Sequence, residues 1–160
     1  MSDALIEHPD GWWQDSDPAS AYAKYARMHS SVTNRANNAL TERLLAAYDW
    51  RGKTVLEYGC GGGYFTIWMA KRGATVHAVE MNPKAIAIVN YAAQREGVAD
   101  RVIVSQGNAE NETVSGQYDF IFAKDLIEHL DDEGAFFHRL GQQLRPGGCT
   151  YLATQNDHCL

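Results

Sequence analysis

Positions 55 to 65 read Val55-Leu56-Glu57-Tyr58-Gly59-Cys60-Gly61-Gly62-Gly63-Tyr64-Phe65. Two branched apolar residues, an acid and a glycine-dense bend opening onto an apolar periodic segment predict a buried strand turning sharply into a helix. Glycines at 59, 61 and 63 allow positive φ and let a ligand approach where a Cβ would block it. The bend faces the positive end of the helix, where backbone N–H groups can meet a carboxylate or a phosphate. A dinucleotide fingerprint, G-x-G-x-x-G, would need glycine at position 64, which is Tyr64. The pattern is E-x-G-x-G-x-G, which disfavours an NAD-dependent oxidoreductase.

This run resembles the first motif of class I S-adenosylmethionine (SAM)-dependent methyltransferases. The resemblance implies that the turn of Gly59, Gly61 and Gly63 holds the methionine end of SAM, with Glu57 close by. Glu80, in Val76-His77-Ala78-Val79-Glu80-Met81-Asn82, stands where the family has an acid at the end of the second strand. An ionised carboxylate there can accept from both ribose hydroxyls; the plainer reading is a strand-end acid favoured by the helix dipole. Met81 and Asn82 would border the adenine, with Met81 as a soft apolar wall or simply a core side chain. In Gly107-Asn108-Ala109-Glu110 many relatives have Asp in place of Asn108, accepting from the adenine amino group. Asn108 can accept through its carbonyl, with Ala109 beside it, or can form a surface Asx-turn.

The segment Tyr118 to Leu130 is similar to quinone-biosynthesis-type O-methyltransferases and their small-molecule relatives. The likeness implies that Ala123 and Lys124 come beside the methionine end of SAM and that the next residues open onto the substrate. Lys124, a cation near a sulfonium, either points away or meets an anionic substrate. Asp125, Glu128 and His129 match a metal-ligating trio proposed within the quinone group, and their oxygen and imidazole donors suit a hard or borderline cation. A Leu-Glu-His version also occurs in relatives with no metal, and no metal is expected. His129 is the candidate general base, an imidazole able to take a proton from a hydroxyl or amine as the methyl moves; its alternative is a capping or packing residue. In similar enzymes the N-terminal helices fold over the cofactor as a lid, which would bring in Tyr22, Tyr25 and Arg35. Arg35 could salt-bridge the SAM carboxylate, although aromatic stripes at helical spacing also serve as plain packing.

These residues need a scaffold of alternating strands and helices. Helices are expected at 19–30 and 34–48, the second apolar at 36, 40, 44, 45 and 48 and ended by Arg51-Gly52. Strands are expected at 53–58, 74–80, 101–106, 118–123 and 149–154. Helices at 64–72, 83–96 and 132–144 separate them, with Gly73 stopping the first, Pro83 and Gly97 bounding the second, and 145–148 forming a turn. Alternation of this kind implies right-handed crossovers and a parallel sheet covered on both faces. The resemblance implies a Rossmann-like doubly wound α/β fold with strand order 3-2-1-4-5. Family members continue past the fifth strand with a helix and two more strands, so the sequence reads as lacking the last two strands, a truncated or partial chain. The organisation is a polar segment at 1–18 containing Trp12-Trp13, a helical lid at 19–50 and a SAM-binding domain at 51–160.

With 160 residues, 45% hydrophobic and 21% charged, the chain has the make-up of one soluble globular domain. A net charge of −6 without a basic run argues against a nucleic-acid binder. Cys60, Cys149 and Cys159 are odd in number and far apart, indicating reduced thiols and neither a disulfide framework nor a zinc site. No apolar stretch has the length of a membrane span or signal core, so a cytoplasmic location is expected. The expected activity is methyl transfer from SAM, leaving S-adenosylhomocysteine (SAH), to the O or N of a small-molecule acceptor. The alternative is a SAM-binding module that does not turn over. Gln155, Asn156 and His158, after the fifth strand, are further candidates for the substrate wall.

Overall fold

The computed structural model describes residues 17–112 and 114–154; Trp12-Trp13 and Gln155, Asn156 and His158 lie outside them. Two helices, α1 (Pro18–His29) and α2 (Val32–Leu45), precede an alternating series. This runs β1 (Thr54–Tyr58), α3 (Tyr64–Ala70), β2 (Thr75–Glu80), α4 (Pro83–Arg95), β3 (Val102–Gln106), β4 (Tyr118–Lys124), α5 (Glu133–Gln143) and β5 (Leu144–Ala153). Short 3-10 turns at Ala99–Arg101 and Ile127–His129 precede β3 and α5. Helix starts follow local chemistry. Asp17, Asn82 and Asp132 cap α1, α4 and α5 by accepting backbone N–H groups, and Pro18 and Pro83 occupy first-turn positions where no N–H is missed.

The five strands form one parallel sheet in the order β3-β2-β1-β4-β5, as the resemblance implied. Period-2 alternation sorts the strand residues between two cores. Val55, Val76, Phe120 and Phe122 join Leu45 of α2 and Phe65, Trp68 and Met69 of α3. Leu56, Val79, Ile121 and Ala123 face the other way, toward Phe136 and Leu140 of α5. The crossovers therefore change face between β1 and β4, and the crevice at the carboxyl ends of those two strands is where ligands of such sheets bind.

Three expectations need correction. Of the expected apolar positions within α2 only Leu45 is buried: Ala36 is exposed, Leu40 and Leu44 are about 60% exposed, and polar Asn38 and Thr41 share the buried face with Leu45. Tertiary partners set that rotation, since Asn38 Nδ2 meets His29 Nδ1 at 2.9 Å and Thr41 Oγ1 meets the Tyr151 hydroxyl at 3.1 Å. The same helix stops at Leu45, before Arg51-Gly52, because the Leu45 carbonyl accepts from Tyr48 N–H and Trp50 Nε1. The turn expected at 145–148 lies inside β5: between the pairs Tyr118/Leu144 and Phe120/Cys149, β5 advances five residues to two in β4. Asp119 holds that irregular stretch, accepting from Arg145 Nη1 at 2.8 Å and from the Thr54 N–H at 2.8 Å. Adjacent leucines then separate the two readings of α2. Leu45→Ala should cost about 2–4 kcal/mol in a denaturant titration, whereas Leu44→Ala should stay within about 0.5 kcal/mol.

Candidate cofactor site at the strand ends

The glycine turn is built from three left-handed residues, with φ of 69° at Gly59, 53° at Gly61 and 84° at Gly63. Gly59 N–H donates to the Val79 carbonyl at 2.9 Å, hooking the end of β1 to the end of β2. Gly63 opens α3, and a Cβ there would stand 2.9 Å from Val89 of α4, so side chains are excluded by space as well as by φ.

Glu80 ends β2, and its carboxylate joins the two connections that flank the crevice. Oε2 accepts from Gly61 N–H and Oε1 from Asn82 N–H, each at 2.9 Å. Each oxygen keeps a further lone pair for another donor. Asn82 spends its side-chain oxygen on the Lys84 N–H as the cap of α4, and Met81 beside it is half exposed. Asn108 forms an Asx-turn, its Oδ1 accepting from Glu110 N–H at 2.9 Å, while buried Ala109 offers its carbonyl to Arg139.

Glu57 lies beneath the turn. It is 3% exposed and accepts from Thr66 Oγ1 at 2.5 Å, which ties α3 to β1. Burial pushes its carboxyl up to about 8, and the nearby Glu80 charge adds to the shift, against the pull of the Thr66 hydrogen bond.

Tyr25 of α1 lies against Gly62, where a Cβ would come within 2.7 Å of its ring, and its hydroxyl accepts the Tyr64 N–H at 3.2 Å. His29 packs between Tyr25 and Tyr64, with ring centroids 4.3 and 4.9 Å away. Burial, and then the charge of Lys124, lower its pKa to about 4, so the imidazole is neutral near pH 7. Tyr64 in turn donates to Glu42 of α2 at 2.6 Å.

Lys124 ends β4 and pairs with Asp125, whose φ of 54° is the one positive value outside glycine among the described residues. The next side chain, Leu126, covers Gly59 and would lie 3.2 Å from a Cβ there. His129 is exposed and its N–H donates to the Leu126 carbonyl, so its short helix is keyed to the glycine turn through one residue. Asp125, Glu128 and His129 are not brought together: Asp125 faces Lys124 and Glu128 accepts from Thr154 at 2.7 Å. Among the described residues no three metal-binding side chains converge. Arg35 is exposed on α2 and lines a cavity together with Tyr25, His29, Gly62 and Gly63.

Sequence reasoning missed Thr66, Leu126 and Asn38. Thr66 alone left a signal, a hydroxyl on an otherwise apolar helix, nine residues after a buried acid.

Residues 25–160 match the family model described as a methyltransferase domain. The chain belongs to this family. Among curated proteins the domain is 36% identical over 107 residues to the ubiquinone biosynthesis O-methyltransferase of Pseudomonas paraeruginosa, and 30% identical over 105 residues to that of Azoarcus sp.. Each match covers 66% of this chain and 45% of the relative, so the chain spans about half the length of the curated relatives it matches. A solved structure titled DhpI-SAM-HEP complex is 27% identical, with a TM-score of 0.70 over 99% of this chain and 70% of that one. Coclaurine N-methyltransferase bound to N-methylheliamine and SAH shares the fold, with a TM-score of 0.67 at 22% identity over 77% of this chain and 37% of that chain. Within the methyltransferase domain, no helix of the described residues is long and apolar enough to cross a membrane.

The raised carboxyl of Glu57 makes stability depend on pH. Between its ordinary value of 4.5 and about 8, the unfolded chain has released a proton that the folded chain retains. Stability therefore falls as pH rises through that window and levels off above it. Glu57→Gln should remove this slope. Urea titrations at pH 5 and pH 8.5 should show wild type losing about 2–4 kcal/mol relative to the variant.

Proposed function

We propose that the domain binds SAM across the carboxyl ends of β1, β2 and β4 and methylates the O or N of a small-molecule acceptor. The observation that supports this best is the Glu80 carboxylate, which already joins the glycine turn to the start of α4 and has lone pairs left for the two ribose hydroxyls. The left-handed turn of Gly59, Gly61 and Gly63 would face the methionine end, and half-exposed Met81 supplies an apolar wall for the adenine. Asn82 and Asn108 border the purine, Asn108 presenting its amide from a fixed Asx-turn, and Ala109 supports that turn from within. Glu57 acts from below, holding α3 through Thr66, and Tyr25 belongs to the helical lid.

SAM supplies an electrophilic methyl group on a sulfonium, with SAH as the product. The residues of this chain then have three tasks: to align the acceptor, to exclude water and to remove its proton. His129, exposed beside the crevice on a segment keyed to Gly59, is the proposed base for a hydroxyl or ammonium proton. Lys124 at the end of β4 is paired with Asp125, so its charge is balanced locally. The acidic chain suits a small acceptor in a soluble, cytoplasmic setting better than a nucleic acid.

Calorimetric titration with SAM, SAH and NAD tests the cofactor. Micromolar binding of SAM and SAH, none of NAD, and a loss of at least about tenfold in Glu80→Ala is the expected result. No binding of either adenosyl compound overturns the reading. Transfer of a labelled methyl from SAM to a panel of phenols and amines tests turnover. His129→Ala should lower kcat by about 100-fold or more, with SAH affinity unchanged; unchanged kcat would return His129 to a packing role.

A further inference from the structure

A cavity of about 520 Å³ opens between α1, α3 and α4, within the size range of small-molecule sites. Gly62 and Gly63 form part of its wall, but Glu80, Met81, Asn82, Asn108 and Lys124 do not line it. It shares Gly63 and Tyr25 with the proposed cofactor crevice and extends away from Glu80 along α3 and α4 to Lys71, Arg72 and Glu96.

Its lining has a definite chemistry. Tyr22, Tyr25, Tyr64 and Trp68 present aromatic rings from two helices, a surface that favours planar partners in offset or edge-on contact. Arg35, Lys71 and Arg72 stand at the same cavity with Glu96 as the sole acid, so three positive charges meet one negative on a chain whose net charge is −6. Lys71 is engaged by Glu96 at 2.7 Å. Arg72 lies 3.5 Å over the Trp68 ring and donates to the Trp68 carbonyl, which fixes a guanidinium flat on the aromatic wall. Arg35 forms no ion pair or side-chain hydrogen bond with any described residue. An uncommitted guanidinium and a second one stacked on indole, beside four rings, select a planar aromatic carrying a carboxylate or sulfonate.

We propose that this cavity is a second ligand site, specific for a small aromatic anion and adjoining the cofactor crevice. The proposal does not depend on the methyltransferase reading. Isothermal titration of the full chain with 1-naphthalenesulfonate, and with neutral 1-naphthalenemethanol as its control, tests it. The sulfonate should bind one to one, about tenfold or more weaker in Arg35→Glu and several-fold tighter in Glu96→Gln, which removes the opposing charge. The neutral alcohol should respond to neither change. Ala26→Trp, at an exposed position on the rim, should abolish binding of both probes and leave the melting temperature and the SAH titration as in wild type. Absence of sulfonate binding overturns the proposal, as does binding indifferent to both Arg35→Glu and Ala26→Trp. Displacement by SAH together with loss in Glu80→Ala would place the probe at the strand ends and overturn it equally. Failure of SAH to bind, with sulfonate binding retained, would sink the cofactor reading alone.

Discussion

One carboxylate holds the working end of this sheet in shape. Glu80 accepts a backbone N–H from the β1–α3 connection and another from the β2–α4 connection, so two loops that only meet in space are set at a fixed distance. Charge-assisted bonds of this type are stronger than neutral ones, and losing the acceptor would strand Gly61 N–H in a partly buried position. The turn it holds is otherwise an awkward one, with three left-handed residues in five. That geometry starts α3 at Gly63, close against Val89, and places Thr66 above Glu57. The strand ends, the helix starts and the crevice between them are thus consequences of one local arrangement.

A second layer rests on the first through rings and polar atoms rather than aliphatic packing. Tyr25, His29 and Tyr64 stack over the glycine turn, and Asn38 and Glu42 reach across from α2 to hold His29 and Tyr64. Burial keeps His29 neutral, so its Nδ1 can accept from the Asn38 amide, and raises the Tyr64 hydroxyl to about 12, so it remains a donor to Glu42. Because Tyr25 touches both the glycine turn and the aromatic cavity, the position of α1 bears on two spaces at once. Two ligands that each restrained Tyr25 would influence one another's affinity equally in both directions.

Much of this was legible before any coordinates. The alternation of strands and helices, the left-handed glycines, the start of α4 at Pro83 and the strand order all followed from local patterns together with the family resemblance. The face of α2 was not legible, because Leu40 and Leu44 obey the helical period as well as Leu45 does, and what turned the helix was a set of polar partners on α1 and β5. The wide excursion within β5 was read as a turn because Pro146-Gly147-Gly148 carries a turn signal. Pairing with β4 resumes at Cys149, with Asp119 holding the stretch that loops out. Local chemistry was read correctly there, and its place in the ladder was not.

By itself, then, the sequence determined which segments become strands and helices, where the backbone must go left-handed, and which acid ends β2. These properties depend on residues close together in the chain, through sterics, capping and periodicity. Tertiary structure alone decided that Glu57 is buried under the turn and bonded to Thr66, that Asp125 faces Lys124 and not a shared cation with Glu128 and His129, and that Arg35 stands at an aromatic cavity walled in part by the glycine turn. Each of those outcomes is a choice between partners that the chain brings together only on folding. Such choices turn on distance, burial and local dielectric, which a linear order of residues does not contain.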